Sequence, residues 1–324
     1  MPDDEKEIVI EDLKVAFGDF YALKGISFYA NKGEFLGIIG ASGAGKTTVL
    51  RVLTGQLEPT SGKAFVGGHD VTERIDLISL LVGYVPQIEH LSLYYDFTPL
   101  ENAQFFGRCF GMKPNKIEEK ARRILGILGF DDELMTKRVK LLSGGERKRV
   151  SICLGMIHEP PLLLLDEPTT GLDAHLRHET LNYLKELNFE LNTTMAIISH
   201  DLEIVDYCTR VCLLEHGYVS QFGTPEELIS SLPGEGESLQ VVFPSMSSAI
   251  RDRVRSIEGV EYLARTGRNT LKLFIDEPKD KMLKVIHSLN ELDVPFEEVS
   301  VVEADFFDFF NVKPWKEAEA GGSA

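Results

Sequence analysis

The run Gly40-Ala-Ser-Gly-Ala-Gly45-Lys46-Thr47 fits the pattern G-x-x-x-x-G-K-[ST], and no other feature of the 324-residue chain restricts its fold so tightly. It follows the apolar segment Phe35–Ile39 and leads into the helical pattern Thr48–Leu53. That is the strand–loop–helix setting in which such a loop wraps a chain of phosphates. Glycines let backbone N–H groups approach phosphate oxygens where a Cβ would collide or strain the turn. The helix that follows points its positive end at the same anion. Gly40, Ala41, Ser42, Gly43, Ala44, Gly45, Lys46, Thr47 and Thr48 are therefore the candidate phosphate-binding residues. Lys46 supplies a mobile charge for the outer phosphates, and the Thr47 hydroxyl suits Mg²⁺.

A second feature agrees with the first. Leu162–Leu165 is an all-leucine run that ends in Asp166 and Glu167. Burying a carboxylate is costly unless a cation stands nearby. Asp166 is placed to hold Mg²⁺, and Glu167 to polarise an attacking water as general base.

Around these motifs, short Val/Ile/Leu-rich runs alternate with longer helical patterns up to about residue 232. Strands are expected at Ile8–Leu13, Phe35–Ile39, Gly83–Pro86, Leu162–Asp166, Thr194–Ser199 and Val211–Leu214. Several are apolar throughout, as in sheets covered on both faces. Helices are expected near 45–55, 115–129, 144–157, 175–191 and 225–231. The class is α/β.

Leu142-Ser143-Gly144-Gly145-Glu146 opens a helix read as amphipathic over Arg147–Ile157. Ser143 can cap it, and the glycines expose its first N–H groups. With this run added, the chain resembles the ATP-binding cassette (ABC) ATPases over roughly residues 5–232. LSGGE matches their signature motif, usually LSGGQ, with Glu146 as the departure.

The resemblance implies roles for further residues. Gln87 corresponds to the Q-loop glutamine, which touches the metal and reports to a membrane partner. Thr170-Gly171-Leu172-Asp173 corresponds to the D-loop, His200 to the switch histidine at the γ-phosphate, and Phe17 to the aromatic that stacks on adenine. It also implies ATP and Mg²⁺ as ligands and a head-to-tail homodimer. Each ATP would lie between one phosphate loop and the partner's Ser143, Gly144 and Gly145, with Asp173 nearby. Glu167, His200 and Lys46 are the catalytic candidates, and Thr47, Gln87 and Asp166 the metal candidates.

Length points to about two domains. The expected division is an ABC ATPase domain over 1–232 with a helical subdomain at about 88–157, and a polar linker at 233–238. A small α+β, ferredoxin-like unit in the order βαββαβ follows over 239–312, then a tail over 313–324.

Charge and composition narrow the task. A net charge of -17 argues against wrapping nucleic acid. The four cysteines lie in apolar contexts without a C-x-x-C pair, which fits buried thiols in a reducing compartment. Cys208 and Cys212 are spaced to share a helix face. No 18-residue apolar stretch is present, so the pore would be a separate multi-span permease and this chain a peripheral subunit on the cytoplasmic face of the membrane.

Only 97 residues separate Lys46 from Ser143, room for the short helical subdomain of transporters but not for a long coiled coil. The aromatic stretch 91–97 would dock the permease. The motifs resemble those of drug, lipid and polysaccharide exporters, and Glu303–Phe310 resembles the acidic-aromatic segment that closes such subunits. The competing expectations are an importer ATPase of the methionine type with a regulatory C-terminal domain, and a non-transport ABC ATPase acting on ribosome or chromosome.

Overall fold

The computed structural model describes residues 5–88 and 92–312. The expected tail over 313–324 and Leu91 of the aromatic stretch lie outside the described residues. The described chain forms two compact units that divide at Gly223/Thr224.

In the first unit the order is β1 (Lys6–Phe17), β2 (Phe20–Asn31), β3 (Phe35–Ile39), α1 (Lys46–Leu53), β4 (Ser61–Val66), β5 (His69–Asp70), α2 (Ile75–Leu81) and β6 (Val82–Val85). Then come α3 (Pro99–Cys109), α4 (Pro114–Ile127), α5 (Asp132–Thr136), α6 (Gly144–Met156), β7 (Leu162–Asp166), α7 (Ala174–Leu191), β8 (Thr194–Ser199), β9 (Arg210–Glu215) and β10 (Tyr218–Gly223).

Two sheets share this unit. One has the order β10-β9-β3-β8-β7-β6, with β9-β3-β8-β7-β6 all parallel. Its central strands β3, β7 and β8 are buried at every residue, which explains their largely apolar sequence. The other sheet, β2-β1-β4-β5, is antiparallel. One hydrophobic core takes side chains from both sheets and from α1, including Ile10, Leu23, Ile38, Val49, Leu164 and Ile198.

The sequence reading captures the parallel strands and misses most of the antiparallel sheet. β1 runs well beyond Ile8–Leu13, and β2, β4, β5 and β10 were not expected as strands. β2 mixes buried, half-buried and exposed residues and β10 is mostly half-buried, so they lack the continuous apolar run used to find the others. A second correction concerns α6. It is buried almost all round, from Lys148 through Met156, so it is a central helix and not an amphipathic one. A third concerns the thiols. Cys208 lies in a loop and Cys212 in β9, so they share no helix face, and Cys109 is exposed.

The second unit comprises α8 (Pro225–Ser230), β11 (Glu237–Val242), α9 (Ser248–Arg255), β12 (Tyr262–Arg265), β13 (Thr270–Phe274), α10 (Pro278–Glu291) and β14 (Glu298–Glu303). Its antiparallel sheet runs β12-β13-β11-β14, the strand order of a split βαβ unit. Leu239, Val241, Leu271 and Leu273 form a core with Val254, Val285 and Leu289 from the helices.

This unit begins earlier than the expected linker. α8 belongs to it, Leu232 is buried, and Glu237 and Ser238 already pair with β14. After β14 the chain turns into a short helix whose Phe309 is fully buried and Phe306 nearly so, while Phe307 is exposed. Lys272 fixes that helix through a 2.6 Å ion pair to Asp308, with both side chains largely buried.

Candidate functional site

The parallel strand order sets up the site. β3 lies between β8 and β9, and β7 lies beside β8, so the carboxyl ends of β3, β7 and β8 emerge together. Ligands bind at such strand ends in parallel sheets.

The phosphate loop leaves β3 at Gly40. A Cβ there would stand 2.2 Å from Leu214 O, so glycine is the residue that allows this close approach. Gly45, the N-cap of α1, has φ 108° and sits against Leu23 and Ala22 O. Lys46 is buried and donates to Gly40 O (2.7 Å) and Ala41 O (3.0 Å). Burial lowers its pKa, while the charges of Glu167 and Asp166 raise it. Ser42, Gly43 and Thr47 are exposed and Ala44 is buried. Thr48 is half-buried.

Asp166 closes β7 and is buried. Burial raises its carboxyl pKa, Glu167 adds to the rise, and Tyr84, Lys46 and Lys148 oppose it. Tyr84 Oη lies 3.5 Å from Asp166 Oδ2. Glu167 occupies the left-handed region at φ 43°, a conformation costly for a non-glycine residue and concentrated at functional sites. Its N–H donates to Ile198 O (3.0 Å). Thr170 Oγ1 donates to its Oε2 (2.7 Å), and His200 Nδ1 lies 3.0 Å from that same oxygen. Lys46, Asp166, Glu167 and His200 thus gather at one end of the sheet.

The remaining candidates lie on other elements. Ser143 caps α6 in a reciprocal box: its N–H donates to Glu146 Oε2 (2.6 Å), and Glu146 N–H donates to Ser143 Oγ (3.3 Å). Glu146, the departure from the usual motif, closes that box as an N3 carboxylate should. Gly144 and Gly145 form the first turn of α6. Asp173 caps α7 by accepting from Leu176 N–H (3.0 Å). Gln87 is exposed just beyond β6. Phe17 ends β1 half-exposed, directly across from the more exposed Phe20 that begins β2. Ala22 and Leu23, a few residues on, touch Gly45.

Sequence reasoning missed several groups. Lys148 is fully buried, and its Nζ donates to Gln87 O (2.8 Å) and Pro86 O (3.3 Å). It sits in Arg147-Lys148-Arg149, which reads as a solvated charge run. Its only sequence signal is position: apart from Arg149 and Ser151, the residues after it on α6 are apolar or glycine. Tyr84 also went unassigned, and Thr170, read only as the start of the D-loop, was not expected to hold Glu167. In the stretch 92–97, Leu93 is buried, while Tyr94 and Phe97 are exposed; the Tyr94 ring packs against Phe97, Phe105 and Phe106.

The donor set fits the ligands that the motifs imply. The ionised form of Asp166 is disfavoured where it stands, and a divalent cation would restore it. The loop offers glycine backbone, a helix N-terminus and an ammonium to a triphosphate.

Comparison with known proteins agrees. The family model described as ABC transporter matches residues 23–170. The linearmycin resistance ATP-binding protein LnrL of Bacillus subtilis is 32% identical over 280 residues, spanning 86% of this chain and 88% of that protein. A Nod factor export ATP-binding protein I from Rhizobium sp. is 38% identical over 223 residues, 68% of this chain and 72% of that one. Among solved structures, cbiO1 from Clostridium perfringens, part of the ABC transporter complex cbiONQ, superposes with TM-score 0.66 at 29% identity, covering 70% of this chain and 92% of that one. A dimeric ATP-binding cassette in a post-hydrolysis state bound to ADP and Pi gives TM-score 0.59 at 26% identity, covering 67% of this chain and 98% of that one.

Proposed function

The chain belongs to the ABC transporter family as an ATP-binding subunit, and from that premise we propose that it powers export through a separate multi-span permease at the cytoplasmic face of the membrane. The observation that carries the reading is the meeting of Lys46, Asp166, Glu167 and His200 at the carboxyl ends of β3, β7 and β8. Similarity to the linearmycin resistance protein over 86% of the chain extends past the ATPase unit. That favours an exporter over an importer of the methionine type. No helix among the described residues is long and apolar enough to cross a membrane, in keeping with a pore carried by another polypeptide.

The proposed roles are those the family resemblance implies, supported by the positions described above. Backbone N–H groups over 40–48 and the Lys46 ammonium hold the triphosphate of ATP. Thr47, Asp166 and, through its side chain, Gln87 hold Mg²⁺, which when bound neutralises charge on the outer phosphates. Phe17 stacks on the base. Glu167 takes the proton of the attacking water, and His200 keeps its carboxylate aimed. In a head-to-tail homodimer, Ser143, Gly144 and Gly145 of the partner subunit face the same nucleotide with Asp173 nearby. Two positive helix ends on one triphosphate make ATP the bridge, and its hydrolysis releases the dimer. The exposed rings of Tyr94, Phe97 and Phe105 suit the permease contact.

The test is to purify the full chain from its native membrane fraction in mild detergent and identify what accompanies it. A multi-span protein with no solute-binding companion is the expected result. A permease dependent on an external binding protein would favour the importer. Ribosomal or other soluble companions alone would overturn transport.

A further inference from the structure

We infer that Lys148 is a positioning residue that ties the Gln87 loop to the signature helix, so that the two nucleotide contacts of one chain move as a single body. The inference rests on the roles proposed above for Gln87 and Ser143. Its basis is local geometry. Lys148 lies on α6, two residues beyond the Ser143–Glu146 capping box. Its side chain is fully buried, and its Nζ donates to Gln87 O at 2.8 Å and Pro86 O at 3.3 Å.

A buried ammonium needs acceptors fixed around it. The requirement works in both directions: the helix cannot shift without dragging the two carbonyls or stranding the charge. A second link runs parallel to it, because Ser92 Oγ and Ser151 Oγ of the same helix are 2.8 Å apart. A third holds the far end of the segment, where Val139 and Lys140 N–H donate to Phe97 O and Tyr95 O at 2.9 Å each. Gln87 on one side, and Ser92, Tyr95 and Phe97 on the other, are thus fastened to α6 and the turn before it. One side chain therefore joins the Gln87 backbone to the signature helix. Misplacement of a positioned group by about 1 Å can cost on the order of 10²-fold in rate.

The test compares full-length parent, Lys148→Met and Lys148→Gln. Methionine fills the volume and removes charge and donors, while glutamine keeps an N–H donor for the carbonyls. Three measurements are needed: ATP affinity by equilibrium titration, ATPase kcat and KM, and amide hydrogen exchange over 84–97 without nucleotide. The expected result for Lys148→Met is a kcat at least tenfold below parent, ATP affinity within twofold, and faster exchange over 84–97 with the phosphate loop unchanged. Lys148→Gln should recover part of both the rate and the protection.

A Lys148→Met kcat within twofold of parent, with the parent hydrolysing ATP, would overturn the inference alone. So would Lys148→Gln matching Lys148→Met while both melt early, since that is a purely structural role. A parent that bound no ATP would overturn the reading of the site and the inference with it.

Discussion

His200 Nδ1 lies 3.0 Å from Glu167 Oε2, although 33 residues separate the two along the chain. Glu167 is held from three sides: by His200, by the Thr170 hydroxyl and by its own N–H on Ile198 O. Its left-handed backbone, φ 43°, adds strain that the surrounding sheet sustains. Glu167→Gln keeps shape and removes basicity. ATPase turnover should fall by about 10²–10⁴-fold, with ATP binding retained and an ATP-dependent dimer accumulating on gel filtration. A variant that stays monomeric with ATP bound would contradict the roles given to Glu167 and to the dimer. His200→Ala should lower kcat while leaving ATP affinity near parent.

Lys46 is the buried cation of the phosphate loop. Lys46→Ala removes charge-assisted hydrogen bonds worth about 1.5–3 kcal/mol, so ATP affinity should drop by roughly 10–100-fold. Unchanged affinity by equilibrium titration would remove Lys46 from the site.

The Asp166 carboxyl has a raised pKa, chiefly from burial and next from Glu167. A carboxylate whose folded pKa lies above its unfolded value costs stability once pH rises past the unfolded value, and the cost grows until pH passes the folded value. Asp166→Asn should therefore raise the melting midpoint of the nucleotide-free protein at pH 7 while abolishing the gain in stability from Mg²⁺ with ATP. Calorimetry with and without Mg-ATP reads both effects. A lower midpoint in the nucleotide-free variant would mean that Asp166 stabilises the fold.

Tyr94 and Phe97 pack with their rings 5.3 Å apart, and both are exposed. Tyr94→Ala with Phe97→Ala should leave ATP affinity within twofold and cut recovery of the permease by at least tenfold in a detergent pull-down. Equal recovery would mean the rings serve only the helices beside them, α3 above all.

His158 stacks on Phe110 with ring centroids 4.0 Å apart. Burial pushes its pKa from 6.5 down to about 4, and Lys120 contributes. The folded protein resists the proton that the unfolded chain accepts, so this contribution is complete above pH 6.5 and is lost as pH falls from 6.5 toward 4. The gap corresponds to at most about 3 kcal/mol, and solvent screening of a part-exposed ring reduces it to about 1–2 kcal/mol. Urea midpoints at pH 7.5 and 5 should show the loss. His158→Phe, which keeps the stack, should show less of it.

The phosphate loop, the acid strand and the capped signature helix are each short, contiguous runs. Neighbouring residues alone dictate their geometry: glycine where φ is positive, Ser143 three residues before Glu146, leucines on both faces of β7. They were legible for that reason, as were the central parallel strands and the βαββαβ order of the second unit. The antiparallel sheet was harder to read, since its strands mix buried and exposed residues and each depends on a partner to bury one face.

What only the tertiary structure decided is which of these pieces meet. The register of β7 beside β8 sets Asp166 opposite Ile198, so the next residue, Glu167, reaches His200. The packing of α6 beside β6 brings Lys148 to carbonyls 61 and 62 residues away. Neither pairing is encoded in spacing, because strand order and register are settled by how the shared core packs. The chemistry of this chain was written in its local sequence, and the coupling between its parts arose only when distant segments were buried together.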